Sequence, residues 1–243
     1  MNAPKFSSLA ALAAGLFLSI AAPALAGVFS VTPVRIYMTP KNRAVAVTLT
    51  NEGDTEVALQ ADLNAWSQKP DGTDELVLTE DMILSPPIIK LAPKARQVVR
   101  LALLKPADAS RQLTYRMVVR EVPEATAPKA AGMEVPIALA LSMPVFITPP
   151  LAQREVRCEA ARPDAQTLQA VCSNSGTAYA QVREIQLRRG EQTLARFEGG
   201  HYILPGARKA IALKAEAAVA AGAAQLSVVF DDGKSQVFQV TLP

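Results

Sequence analysis

The stretch that decides the fold is MEVPIALALSMPVFITPP, residues 133–150. Large apolar side chains occupy alternate positions along most of it, with small or polar residues between them. Successive side chains of a β-strand point to opposite faces of the sheet, so this alternation predicts a strand over residues 134–148 with one continuous apolar face. Pro136 and Pro144 indicate an edge strand, because proline lacks the amide hydrogen that a central strand needs.

The chain before this stretch has the same period-two pattern, interrupted by turns rich in proline, asparagine, aspartate and glycine. The further strands that we predict cover residues 28–38, 44–51, 56–67, 75–79, 82–91, 95–104 and 113–122. Seven or eight short strands in about 120 residues are typical of an antiparallel sandwich of immunoglobulin type.

A domain boundary is expected at Pro149 and Pro150, since consecutive prolines cannot continue a ladder of backbone hydrogen bonds. The later segments that read as strands are residues 154–160, 167–174, 179–189, 192–198, 207–215, 224–231 and 235–243. The alanine-rich residues 214–224 would suit a helix by propensity, but we predict a loop or a single turn there. We therefore predict an all-β chain with two immunoglobulin-like β-sandwich domains in tandem, over residues 27–149 and 150–243.

The first 26 residues have the pattern of a secretory signal peptide. Lys5 precedes an apolar segment over residues 9–22, and Ala24 and Ala26 have the small-residue spacing of a cleavage site. The apolar segment is shorter than the ~20 residues of a membrane span. We expect cleavage after Ala26 and a mature protein that is exported and not embedded in the membrane. The formal net charge of +3 gives no argument for a nucleic-acid partner.

Both cysteines of the chain, Cys158 and Cys172, lie in the part that would be exported. They fall on two predicted strands that a turn over residues 162–164 would place side by side. Because an oxidising compartment allows thiols to pair, we predict a disulfide between them. The alternative is two free buried thiols.

Residues for catalysis are scarce. A Ser-His-Asp hydrolase needs a histidine as its base, and the one histidine, His201, lies in a predicted turn over residues 199–202. Two cysteines and one histidine do not supply a zinc site, and Asp231-Asp232-Gly233 is more typical of a hairpin turn than of a cation site. We therefore expect no enzyme, no catalytic residue, no metal and no cofactor.

The apolar row on the strand of residues 134–148 needs a partner. It contains Val135, Ile137, Leu139 and Leu141. An exposed edge strand with large apolar side chains aggregates unless another strand is meant to pair with it. Strand addition by a client protein would meet that need.

Four segments together resemble the PapD-like periplasmic pilus chaperones. YRMVVREVP at residues 115–123 and IALALSMPVFITP at residues 137–149 resemble the last two strands of their first domain. VTPVRIY at residues 31–37 resembles their first strand, and residues 84–101 resemble their proline-rich crossover and the strand after it. The Ser-Met-Pro-Val-Phe ending is similar to the branch that serves archaic, spore-coat-protein-U-like pili.

The resemblance implies a function as well as a fold. Members of this family hold a pilus subunit in the cleft between two angled domains, lend it the strand that its own sandwich lacks, and deliver it to an outer-membrane usher in the periplasm. Strand donation of this kind is an established example of strand addition. Val135, Ile137 and Leu139 match the donated row, and Leu141 continues it.

Arg35 matches the cleft arginine that anchors the C-terminal carboxylate of the client in this family, a task that suits the bidentate guanidinium. Without the resemblance, an exposed charge is the simpler interpretation of a lone arginine on a strand. Where the family places a lysine on the last strand, this chain has Pro144. Lys90, Lys94 and Arg120 are the substitutes that the sequence offers, unranked.

The alternative function is that of a secreted structural module, either a pilus subunit or an adhesin of the same sandwich type. A pilus subunit offers a donor extension ahead of one incomplete domain, whereas two complete domains are predicted here. The sequence leaves open whether free molecules associate with each other through their exposed strands.

Overall fold

The computed structural model describes residues 29–123, 138–164 and 166–243. Every regular element within these ranges is a β-strand. The strands form two sandwich domains of immunoglobulin type, which confirms the predicted fold class. The predicted signal peptide, residues 1–26, lies outside the described residues.

Two sheets pack face to face in the first domain. Its ten strands are β1 (Phe29–Thr32), β2 (Ile36–Met38), β3 (Ala44–Asn51), β4 (Val57–Gln68), β5 (Asp74–Leu78), β6 (Met82–Ser85), β7 (Ile88–Leu91), β8 (Arg96–Leu103), β9 (Leu113–Glu121) and β10 (Ala140–Ile147). One sheet has the order β1-β3-β8-β6. The other has the order β2-β10-β9-β4-β5, with β7 also paired to β4. Fully buried side chains from both sheets, such as Leu49 and Met117, form the core between them.

Two of the predicted strands are each divided between the two sheets. Residues 28–38 form β1 in one sheet and β2 in the other, and residues 82–91 form β6 and β7 in the same way. Each division contains proline, Pro33 in the first and Pro86-Pro87 in the second. Because proline has no amide hydrogen, the ladder stops there and the chain can cross to the opposite sheet.

The second domain contains a single path of seven strands. They are β11 (Val156–Ala161), β12 (Leu168–Asn174), β13 (Ala180–Arg189), β14 (Gln192–Ile203), β15 (Arg208–Ala215), β16 (Gly222–Phe230) and β17 (Ser235–Leu242). Their order is β11-β12-β15-β14-β13-β16-β17. Only two residue pairs join β14 to β15, and the outermost strands β11 and β17 lie against each other. The strands therefore enclose one core, and the loop predicted over residues 214–224 is confined to the residues between β15 and β16.

The turn predicted over residues 199–202 is wrong, because β14 continues through these residues to Ile203. His201 pairs with Val182 on β13, and its ring stacks on Phe197 with 4.9 Å between the centroids. A Cβ atom on Gly199 would lie 2.6 Å from the Phe197 ring. That glycine therefore provides room for an aromatic side chain within a strand and does not mark a turn.

The predicted disulfide joins Cys158 on β11 to Cys172 on β12. The two residues are direct partners in the antiparallel pairing of these strands. Closing a loop of about 15 residues restricts the unfolded chain and stabilises the fold by about 3 kcal/mol on the chain-entropy model. The bridge therefore stabilises one edge of the second domain.

Candidate functional site

The candidate site begins at the free edge of β10. This strand pairs with β9 over its whole length, but with β2 only from Val145 to Ile147. Over residues 140–144, no other strand in the described part of the chain pairs with its second edge. The edge position that the prolines predicted is thus confirmed for this half of the strand.

The backbone groups that face the free edge belong to even-numbered residues. The Glu121 amide donates to the Leu139 carbonyl at 2.9 Å, and the Thr148 amide donates to the carbonyl of Met38, the last residue of β2, at 3.0 Å. Since hydrogen-bonded and non-bonded pairs alternate in an antiparallel ladder, the odd-numbered residues of β10 bond to β9 and the even-numbered residues point away. The amides of Ala140 and Ser142 therefore point outward.

Pro144 also belongs to the outward-pointing set, since its number is even. It removes no hydrogen bond to β9, because a residue at this position would direct its amide to the free edge. The row of donors on this edge therefore ends after Ser142. From Val145 onward, β2 occupies the same edge.

The apolar row of β10 is divided between core and margin. Met143, Val145 and Ile147 are buried in the core of the first domain, whereas Leu139 and Leu141 are only partly buried and pack against its border. The remaining members of the predicted row, Val135 and Ile137, lie outside the described residues. The row is thus continuous with the core at one end and partly accessible at the other.

The opposite face of β10 is packed against the second domain. Phe146 is fully buried, and its ring stacks on Tyr179 with 4.1 Å between the centroids. The other rings around Phe146 belong to Tyr37, Trp66 and Tyr202, with centroids 5.9 to 6.1 Å away. The end of β10 is therefore fixed by an aromatic cluster that joins the two domains.

Arg35 lies in a cleft of about 800 Å³ between the domains, just before β2 begins. Its Nη1 donates to Asp231 Oδ2 of the second domain at 3.2 Å. The Tyr179 hydroxyl donates to the same oxygen at 3.0 Å, and its pKa is raised by burial, by the hydrogen bond with Tyr37 and by the Asp231 charge. The arginine is thus in the cleft that the resemblance implies, already paired with a carboxylate.

The three sequence-derived substitutes for the missing lysine lie elsewhere. Lys90, Lys94 and Arg120 do not line the cleft that holds Arg35. Each has its own acidic partner instead, which is Glu56, Asp54 and Asp62 respectively. None of the three is placed to act together with Arg35.

Two other cations do line the cleft, and the sequence did not identify them. Arg154 donates to Asp232 Oδ1 at 3.0 Å, and Lys234 lies 3.9 Å from Asp232 Oδ2. Asp231 and Asp232 both lie in the turn between β16 and β17, as the Asp-Asp-Gly pattern indicated. Every one of these cleft cations is therefore paired with an aspartate of the second domain.

No group of three or more histidine, cysteine or acidic residues in the described ranges is arranged to hold a metal ion. A search of the same residues for helices long and apolar enough to cross a membrane found none.

A comparison with known protein families assigns the chain to one of them. The family model for the N-terminal domain of PapD, described as a pili and flagellar-assembly chaperone, matches residues 28–152, just over half of the chain. The chain belongs to the PapD family of pilus chaperones. The family assignment favours a chaperone over the structural module that was the alternative. No match was found among curated proteins.

Solved structures of pilus chaperones share the fold of most of this chain. A chain of the CsuC–CsuE complex, a chaperone–tip adhesion subunit complex of the archaic Csu pili of Acinetobacter baumannii, is 19% identical, with a TM-score of 0.65; the match covers 89% of this chain and 100% of that one. The YadV chaperone is 14% identical, with a TM-score of 0.62 and coverages of 89% and 100%. A chain of the Salmonella enterica SafA–SafB pilin–chaperone complex is 13% identical, with a TM-score of 0.58 and coverages of 88% and 96%.

Proposed function

We propose that this PapD-family protein binds pilus subunits by strand donation from β10 and the residues before it, and delivers them to an outer-membrane usher. The observation that carries the proposal is the free edge of residues 140–144, which leads directly to the Arg35 cleft. The CsuC–CsuE and SafA–SafB complexes, a chaperone with a tip subunit and a chaperone with a pilin, support it. The CsuC–CsuE match also supports placement in the archaic branch.

The geometry of the edge sets the direction of the bound strand. β2 runs parallel to β10 and occupies the edge from Val145 onward. A subunit strand on residues 140–144 would lie in line with β2 and end beside Arg35. A parallel strand would bring its C-terminal carboxylate there, whereas an antiparallel strand would bring an ammonium group toward a guanidinium. Charge therefore favours the parallel arrangement, with Arg35 as the anchor of the carboxylate.

Binding energy would come chiefly from the apolar row of Val135, Ile137, Leu139 and Leu141. Each side chain of this size contributes about 1.5–3 kcal/mol when it becomes fully buried. Three or four of them would supply much of the ~5–15 kcal/mol that stabilises a folded domain. Subunit stabilisation would then need no ATP, in keeping with a family of non-enzymatic chaperones.

The proposal includes export of the protein to the periplasm. Cleavage after Ala26 would release the mature protein into the periplasm, where chaperones of this family act. The mature chain would then consist of a donor-strand domain over residues 27–149 and a second domain over residues 150–243. The cysteines at 158 and 172, already joined in the structure, suit that oxidising compartment.

A double substitution, Ile137→Asp with Leu139→Asp, tests strand donation. We expect it to lower recovery of the organism's own pilus subunits at least about tenfold, since two charges would enter an apolar groove without partners. The measurement is co-purification from the periplasm after co-expression. Recovery equal to that of the wild type would contradict the proposal.

The matched control is Leu76→Asp with Leu78→Asp. Both leucines are exposed and lie on β5, at the opposite edge of the same sheet. The same change of charge there is expected to leave subunit recovery unchanged. Urea unfolding of both variants shows whether any lost recovery is due to a loss of the fold.

A further inference from the structure

The hairpin that joins β4 to β5, residues 68–74, lies against the second domain. Gln68, the last residue of β4, makes two hydrogen bonds to the backbone at the end of β14 through its side-chain amide. Its Nε2 donates to the Tyr202 carbonyl at 3.0 Å, and its Oε1 accepts from the Leu204 amide at 2.9 Å. One side chain of the first domain therefore holds two backbone groups of the second.

Gln68 takes the place of a neighbouring strand on β14. This strand pairs with β15 only at residues 195–196, and over residues 197–203 no other strand in the described ranges occupies that edge. Backbone groups of residues two apart point to the same edge of a strand, so the Tyr202 carbonyl and the Leu204 amide both face outward there. A glutamine amide satisfies both of them, since it carries an acceptor oxygen and two N–H donors.

Asp74 fixes the orientation of this amide. Gln68 Nε2 also donates to Asp74 Oδ1 at 2.8 Å, and the two residues are direct partners in the pairing of β4 with β5. An ionised carboxylate only accepts hydrogen bonds, so the amide nitrogen must lie on its side and the amide oxygen is directed to Leu204. The hairpin itself therefore presents the donor and the acceptor in the order that β14 requires.

Gly72 brings the tip of the hairpin into direct contact with β15. Its φ is +82°, and a Cβ atom there would lie 2.6 Å from the Arg208 carbonyl oxygen, closer than a side chain can approach. Lys209 Nζ donates to the Gly72 carbonyl at 2.8 Å. The two backbones meet where only a glycine fits, and this gives the hairpin its second point of attachment to the second domain.

The hairpin and Arg35 connect the domains at opposite edges of one sheet. The order of this sheet is β2-β10-β9-β4-β5, so Arg35, just before β2, and the hairpin lie on either side of the aromatic cluster around Phe146. Contacts at two separated edges resist rotation of one domain against the other about the linker at Pro149-Pro150. In the proposed function Arg35 gives up Asp231 for the subunit, whereas the hairpin makes no such exchange.

We propose that the hairpin is a positioning element: through Gln68 and Gly72 it holds the second domain at the angle at which the cleft accepts a pilus subunit. This rests on the proposed function, in which the subunit lies along the free edge of β10 and in the cleft. The hairpin is at the other edge of the sheet, so it acts through the domain angle. The apparent affinity of a protein falls in proportion to the fraction of molecules in the binding-competent state, so a detached hairpin lowers capture while the free edge of β10 is unchanged.

The test measures the domain angle and subunit capture on the same variants of the full chain. Nitroxide labels on Ile83→Cys in β6 and Gln225→Cys in β16, both exposed strand residues, report the distance between the domains by pulsed EPR. Each labelled chaperone also competes with a differently tagged wild type for a limiting amount of a pilus subunit of the same organism. Gln68→Met keeps the length of the side chain without its amide. We expect about a tenth of its molecules to keep the wild-type distance and capture to fall about tenfold, as for the loss of hydrogen bonds to two backbone groups.

Gly72→Ala is a second variant, and its matched control is Gly190→Ala. Gly190 has a φ of +58° in the turn between β13 and β14, and apart from its chain neighbours no heavy atom of the described residues lies within 4 Å of the position of a Cβ there. Both substitutions strain a backbone with positive φ, but only Gly72→Ala displaces the hairpin from β15. It is expected to broaden the distances and lower capture, whereas Gly190→Ala is expected to change neither. Urea unfolding shows that both variants are folded.

The two measurements together decide the outcome. Capture that falls in step with the fraction of molecules at the wild-type distance would support the inference. Unchanged distances in Gln68→Met, or changed distances with full capture, would overturn it while the proposed function stands. Lost capture at unchanged distances would also overturn it, because Gln68 would then act by contact with the subunit. If the wild type captured no subunit, the proposed function would be wrong, and this inference with it.

Discussion

Replacing Ser142 by proline is expected to reduce subunit capture about 10- to 100-fold while the chaperone stays folded. The Ser142 amide points to the free edge, so its removal leaves the bonds to β9 intact. A bound subunit strand would lose one hydrogen bond and keep a buried carbonyl without a partner, at a cost of about 1–3 kcal/mol. Pro144, two residues later, shows that this edge of the strand accommodates a proline.

Two control variants distinguish the loss of the outward-pointing amide from a general disruption of β10. Ser142→Ala keeps the amide and is expected to capture subunits as the wild type does. Met143→Pro removes a hydrogen bond to β9 at a buried position and is expected to destabilise the first domain. Co-purification and urea unfolding are measured for each. Full capture by the folded Ser142→Pro variant would show that the subunit does not pair with this edge.

Replacing Phe146 by alanine is expected to cost about 3–5 kcal/mol of stability, the range for a fully buried phenylalanine. The ring lies between the domains, where it stacks on Tyr179 and contacts Trp66, so its loss leaves a cavity that both domains line. The end of β10 would also lose its anchor. We expect weaker subunit capture although the free edge is unchanged.

The matched control is Leu151→Ala, five residues further along the chain. Leu151 is 89% exposed, and its truncation is expected to change the free energy of unfolding by less than about 0.5 kcal/mol. Urea unfolding followed by intrinsic fluorescence measures both variants. A loss below about 1 kcal/mol for Phe146→Ala would mean that the aromatic cluster does not join the domains.

Local patterns in the sequence predicted the strands well, because side chains of a strand point alternately to the core and to solvent. This alternation is visible in the sequence as apolar and polar residues in turn. The strand predicted over residues 44–51 has the same bounds as β3. The division of residues 28–38 between two sheets was missed, since proline shows where a ladder stops but not where the chain goes next. The Gly199-Gly200 pair was misread as a turn because the contact of Phe197 with Gly199 is visible only in the folded strand.

The candidate site was predicted in part. Pro136 and Pro144 in the sequence indicated the edge position, which the structure shows around Pro144 on β10, and the family resemblance pointed to Arg35. The pairing of Arg35 with Asp231 joins residues 196 positions apart, and no local pattern reports such a contact. The pairing of Arg154 with Asp232 was equally hidden, because these two residues are 78 positions apart.

Amide hydrogen exchange at single-residue resolution tests the central claim, that the free edge of β10 receives a strand of the subunit. The account predicts that the amides of Ala140 and Ser142 exchange rapidly in the free chaperone and become protected when a pilus subunit binds. The amides of Leu141 and Met143, bonded to β9, should be protected in both states. Equal exchange of Ala140 and Ser142 in the free and bound chaperone would contradict the claim.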